Sequence, residues 1–205
     1  GSREGKVGYR VTDAQKVGTY IHSLDYTDDG GHVVAGSFNL HNMDLGNGVV
    51  LETAGVLDGM LVKYNSNNEC EWARTIAGTD SESIKTVSQT SDGGYIAGGC
   101  FASRSIDLGN GITVSGNYND SDGIIIKYNH SGDIEWYQTI LGANSDLIVS
   151  QIVEDTEENY IIVGSTSANT VKVGNDVILD NPNPSTYRGV VIKLSASGET
   201  KWTKV

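Results

Sequence analysis

Three tryptophans, Trp72, Trp136 and Trp202, stand 64 and 66 residues apart, and their surroundings recur in step. Gly36, Gly99 and Gly164 keep nearly the same spacing, 63 and 65 residues. Asp44, Asp107 and Lys172 each open a variant of D-L-G-N-G. Asp58-Gly59 and Asp122-Gly123 have Arg188-Gly189 in third place, and Lys63-Tyr64 and Lys127-Tyr128 are followed by Lys193-Leu194. Markers in a fixed order at a fixed period indicate one supersecondary unit stacked on copies of itself. That constrains the fold more tightly than a length of 205 residues, which by itself allows one or two domains.

The middle unit reads as four main strands. Strand A covers residues 84–90, and the turn Ser91-Asp92-Gly93-Gly94 leads into strand B at 95–101. Strand C, 124–128, is a continuous apolar run suited to burial on both faces. A second turn, 129–132, leads to strand D at 133–140, where Ile134, Trp136, Gln138 and Ile140 share one face by alternation. Between B and C lies an inserted segment, 105–116. Its Asn110-Gly111 predicts a two-residue hairpin, because a type I′ turn needs positive φ at both central positions. Asn47-Gly48 repeats this signal and Asn175-Asp176 is a weaker form of it. No segment shows helical periodicity.

The expectation is therefore an all-β chain of three four-stranded antiparallel repeats of about 64 residues, each with a B–C hairpin. The units cover 17–76, 80–140 and 145–205. Sliding the repeat backwards puts Tyr9 at the tryptophan position, so residues 5–12 read as an outer strand belonging to a preceding unit. The third unit drifts, with Glu157-Glu158-Asn159 in place of Asp-Gly-Gly.

These residues resemble a bacterial β-propeller repeat family whose blades run D-G-G, a later glycine, D then K, a glycine, and W. The matching residues are Asp92-Gly93-Gly94, Gly99, Asp122, Lys127, Gly132, Trp136 and Gly142. The resemblance covers nearly the whole chain after about residue 9, and the long B–C hairpin departs from its shortest forms. It implies propeller blades and an extracellular or bacterial cell-surface setting. A propeller closes with about 4–8 blades. Three blades are thus either part of a longer chain or half of an assembly, and a homodimer would give a six-bladed ring, its exposed edge completed by the N-terminal strand.

Formal charge of −12 argues against nucleic acid or an anionic membrane as partner, since both require a basic surface. No apolar run is long enough to span a bilayer as a helix. Any secretion leader is expected to lie outside this sequence, and Gly1-Ser2 reads as a cloning remnant. Cys70 and Cys100 do not occupy equivalent repeat positions, and read as small strand residues.

In an antiparallel meander the A–B and C–D turns share one end, while the longer B–C and D–A loops share the other. The long-loop end is the expected binding face. Its candidate ligand residues are Asn117, Tyr118, Asn119, Asp120, Asn144 and Tyr187, with Asp80, Glu82, Asp146, Asn181 and Asn183 nearby. Tyrosine beside Asn and Asp suits carbohydrate, the ring packing on a sugar face and the polar groups bonding hydroxyls. Asp44 and Asp107 are weak calcium candidates beside a structural reading as turn residues. The run 117–123 lacks an acidic first ligand and a twelfth-position Glu, which excludes an EF-hand. The four histidines are scattered, and neither a zinc-spaced pair nor G-x-S-x-G occurs.

No catalytic residue or cofactor is assigned, with calcium the one ion kept open. The leading expectation is a non-catalytic extracellular binding or adhesion module for glycan or a surface protein. A self-assembling structural module and a polysaccharide-active enzyme remain as alternatives.

Overall fold

A computed structural model describes residues 18–117, 120–142, 146–168, 170–174, 176–180 and 187–204. The expected outer strand at 5–12 lies outside these residues. The first unit contains β1 (Thr19–Tyr26), β2 (His32–Phe38), a hairpin of β3 (Met43–Asp44) and β4 (Val50–Leu51), then β5 (Asp58–Tyr64) and β6 (Cys70–Ile76). The second contains β7 (Glu82–Gln89), β8 (Tyr95–Phe101), the hairpin β9 (Ser105–Asp107) and β10 (Thr113–Ser115), β11 (Asp122–Tyr128) and β12 (Ile134–Gly142). The third contains β13 (Leu147–Glu154), β14 (Tyr160–Thr166), β15 (Thr170–Val173), β16 (Asp176–Asp180), β17 (Arg188–Leu194) and β18 (Thr200–Lys204). Every ladder between these strands is antiparallel, and no helix occurs among the described residues.

Four strands per unit follow the expected A-B-C-D order: β1-β2-β5-β6, β7-β8-β11-β12 and β13-β14-β17-β18. The third unit's inserted hairpin goes beyond the sequence reading. Its β15 pairs with β12, extending the middle sheet to six strands. The second unit's hairpin makes the same approach in reduced form, through a bridge between Asp107 and Ala77 beside β6. The insertions of the second and third units thus reach back to the outer strand of the preceding unit. The Asn-Gly turns have the expected geometry, with positive φ at Asn47, Gly48, Asn110 and Gly111.

The sheets pack face to face through the alternation of their side chains. Val33, Ala35 and Leu61 of the first meet Ile84, Tyr95, Ala97, Ile124 and Ile126 of the second. The opposite face of the second, Ile96, Ile125 and Ile140, meets Val149, Ile152, Tyr160, Ile162 and Ile192 of the third. Strand C serves both joints, which is why β11 is buried along its whole length.

The recurring tryptophans fasten these joints. Trp72 lies edge-on to Tyr95 of the next unit, and Trp136 meets Tyr160 at a tilt of 51°. Trp136 Nε1 donates to the Ala196 carbonyl at 3.0 Å. A glycine of the next C–D turn sits beneath each ring. A Cβ at Gly132 would stand 2.8 Å from Trp72, and one at Gly198 would stand 2.9 Å from Trp136.

Two bulges recur in every unit. Strand A slips register between Ile21 and Ser23, between Ile84 and Thr86, and between Val149 and Gln151. Strand C against D slips at Lys63/Tyr64, Lys127/Tyr128 and Lys193/Leu194, which leaves Glu71, Glu135 and Lys201 as the extra residues.

Candidate functional site

The short-turn end is closed by an ion cluster that the sequence shows only as a recurring lysine. Lys127 is buried, yet its ammonium has three acceptors: Asp92 Oδ2 at 2.8 Å, Glu135 Oε2 at 3.0 Å and the Tyr128 carbonyl at 3.2 Å. Three N–H donors meet three oxygens, which is full satisfaction for an ammonium. Lys63 repeats the arrangement with Asp29 at 2.7 Å, Glu71 at 2.8 Å and Tyr64 O at 3.0 Å. The bulge on strand D supplies the Glu, and the D-G-G turn supplies the Asp. The other Asp oxygen holds the turn, Asp92 Oδ1 accepting from Gly94 N at 2.8 Å and Thr90 Oγ1 at 2.6 Å. Partial burial pushes the Asp92 carboxyl up, but the Lys127, Thr90 and Gly94 hydrogen bonds outweigh it and hold the group down at about 2. In the third unit Lys201 stands where the Glu would be, and Lys193 turns to Asp155 at 2.6 Å and Glu157 at 3.7 Å. The drifted Glu157-Glu158-Asn159 turn thus retains a paired lysine with different carboxylates.

The long-loop end is built differently. Asp58 and Asp122, which open strand C, are fully buried. These carboxylates tie loops together. Asp58 Oδ2 accepts from Ala54 N at 2.5 Å and Thr53 Oγ1 at 3.0 Å, while Oδ1 accepts from Gly78 N at 3.2 Å. Asp122 takes Asn117 N at 2.5 Å and Asn117 Nδ2 at 3.0 Å. Asn117 also donates to the Gly142 carbonyl at 2.9 Å, so its side chain is committed to the scaffold.

Tyr187 is exposed, and its hydroxyl stands 3.4 Å from Asp146 Oδ2. Asp80 is exposed and Asp120 half-buried on the same end. Tyr118, Asn119, Asn144, Asn181 and Asn183 lie outside the described residues. A hollow of about 130 Å³ beside Asn117 is lined by Leu141, Gly142, Thr170 and Lys172. Asp44 Oδ1 accepts from Gly46 N at 2.9 Å and Asp107 Oδ1 from Gly109 N at 2.7 Å, the geometry of turn residues. Among the described residues no group of three or more His, Cys, Asp or Glu is placed to hold a metal ion.

Glu82 corrects the sequence reading, which places it among the exposed loop residues. It is fully buried as the first residue of β7, drawn inward because its N–H donates to the Leu57 carbonyl of the first unit at 2.7 Å. Oε1 accepts from Ser103 N at 3.2 Å, and Oε2 has no hydrogen-bond partner. Burial pushes this carboxyl up to about 7, with the Asp58 carboxylate adding to the shift and bonds from Ser103 opposing it. Thr19 and Leu147 fill the equivalent place in the other units.

The folded-state value exceeds the ordinary 4.5. The folded chain therefore holds a proton that the unfolded chain has lost between those values, and stability falls as pH rises through that window. The loss is about 3 kcal/mol by pH 8. Glu82→Gln is expected to be more stable than the parent by about 2–3 kcal/mol at pH 8 and nearly equal to it at pH 4.5. Urea titrations at the two pH values check this, and an equal difference at both would remove the assignment.

Comparison with known proteins finds no family model that matches this chain, and no curated protein matches it either.

Proposed function

We propose that the three sheets are blades of a β-propeller and that the chain is a non-catalytic binding or adhesion module working outside the cell. Its long-loop end recognises carbohydrate or another cell-surface component. The observation that carries this reading is the exposed Tyr187 ring with the Asp146 carboxylate beside its hydroxyl. An aromatic face next to a fixed carboxylate offers a sugar both apolar contact and a hydroxyl acceptor. The contrast between the two ends supports the same choice. Lysine clusters tie the turns of the short-turn end to the strands, whereas the long-loop end projects hairpins and irregular loops from a rigid stack.

A broad glycan array, read with and without calcium, tests the proposal. Binding to one glycan class is expected, weakened at least about ten-fold by Tyr187→Ala. Normal binding by that variant would move the site away from Tyr187, and Tyr118→Ala then tests the neighbouring loop. Silence across the array from correctly folded protein would remove the carbohydrate reading.

A further inference from the structure

The two ends of the sheet stack are halves of the joint that the chain already makes twice. At the internal joints strand A contributes Ile84 and Val87, then Val149 and Ile152, all no more than 3% exposed. Register against strand B identifies their counterparts in the first unit. Ile84, Val149 and Ile21 all oppose the recurring glycine, and Val87, Ile152 and Leu24 stand two register places further on. Ile21 is 55% exposed and Leu24 52%.

The other end shows the reciprocal state. Val33 and Leu61 of the first unit, and Ile96 and Ile125 of the second, are fully buried by the following sheet. Their third-unit counterparts Ile161 and Val191 are only half-buried, and Trp202 is 40% exposed where Trp72 and Trp136 are covered further. Gly59 and Gly123 are crowded by Ile84 and Leu147 of the next unit, whereas a Cβ on the equivalent Gly189 would meet nothing within 4 Å. Backbone groups match as well. Glu82 N donates to Leu57 O, and Leu147 N to Ser121 O, both at 2.7 Å. The same pair at the free ends is Thr19 N–H and the Tyr187 carbonyl.

We propose that the β1-β2-β5 face of one chain docks on the β14-β17-β18 face of a second copy, in the register of the internal joints. Such a contact is heterologous, so it closes into a ring or extends as a filament. Two copies bring together six sheets, within the range that closes. The occupant is a second copy because every partner residue the exposed face requires stands at the opposite end of the same chain.

One position makes this joint looser than the internal ones. Asn68, at φ 63°, takes the place of Gly132 and Gly198 in the C–D turn. Its Cβ would press on Trp202 as a Cβ at Gly132 would press on Trp72. Association is therefore concentration-dependent, and reversible like a modest inter-domain contact.

The test is sedimentation velocity on the whole chain from about 1 to 500 μM, a span that covers transient interfaces of this kind. The parent is expected to reach twice the 21.8 kDa chain mass or more. Leu24→Lys disables one face and Trp202→Lys the other, and both residues are exposed enough for the fold to survive, which thermal melts verify. Each variant alone is expected to stay monomeric, with association weakened at least about ten-fold. Mixed together, they should form a one-to-one dimer, because the intact face of each meets the intact face of the other.

A parent that stays monomeric throughout would overturn the proposal and leave residues 1–17 or another protein to cover Ile21 and Leu24. So would a mixture of the variants that does not associate. The joint uses only the Tyr187 carbonyl and neither outcome bears on its ring or hydroxyl, so the ligand proposal stands or falls separately.

Discussion

Gly99→Ala is expected to destabilise the chain by at least about 3 kcal/mol, and to leave it largely unfolded at 37 °C if the parent is ordinarily stable. The recurring glycine of strand B faces the bulge of strand A. A Cβ at Gly99 would stand 1.9 Å from the Ser83 carbonyl oxygen and 2.9 Å from Ile84 Cα. Both are backbone atoms in a paired ladder, so relief requires separating β7 from β8 and opening the joint that β7 makes with the first sheet. The matching control is Gly189→Ala, where no atom lies within 4 Å and φ is ordinary, and stability should change by no more than about 0.5 kcal/mol. Chemical denaturation of the two variants checks the contrast. Equal stability would show that strand A can shift, and that the glycine at 36, 99 and 164 recurs for some other reason.

The second large effect concerns Lys127. In the double variant Asp92→Asn, Glu135→Gln the buried ammonium loses both carboxylates and retains the Tyr128 carbonyl. Leaving a buried charge uncompensated costs about 3–5 kcal/mol. Lys127→Met removes the charge itself while filling similar volume, and the two carboxylates, each about half-exposed, rehydrate at the surface. That variant should cost at most about 1 kcal/mol, although it deletes the same ion pairs.

Acid should act on the parent in the same direction as the double variant. The folded Asp92 carboxyl titrates at about 2, below its ordinary 3.8. Its contribution is therefore complete above pH 3.8 and is lost as pH falls toward 2. Denaturant midpoints for the two variants, and for the parent between pH 5 and 2, check these signs. A methionine variant as weak as the double variant would mean that the cluster itself, not the avoidance of an unpaired charge, holds the turn.

How far the fold is legible in the sequence is seen at particular residues. Trp72 and Trp136 mark the period because each internal joint needs one large ring over the next C–D turn, and Trp202 repeats the position. Strands B and C are legible because period-two alternation and continuous apolar runs report burial directly. The Asn-Gly hairpins are legible because few other dipeptides adopt positive φ at both positions. The lysine of strand C was visible as a repeat marker but not as an ion centre. Its partners come from a turn some 35 residues earlier and a bulge eight residues later, and no local pattern joins them. Asn117 reads as a surface ligand candidate because no local pattern joins it to the two groups that hold its side chain, the Asp122 carboxylate and the Gly142 carbonyl.

The repeat, the strand order within each unit and the hairpin turns are legible from residues alone, because these depend on short-range sterics and on which face of a strand is apolar. Packing between units set three further features. It put β15 on β12, buried Glu82 with an unpaired oxygen, and left Ile21 and Leu24 exposed at positions that are covered twice elsewhere in the chain. Each depends on which surface meets which across a joint, and identical local patterns acquire different surroundings according to their place in the stack.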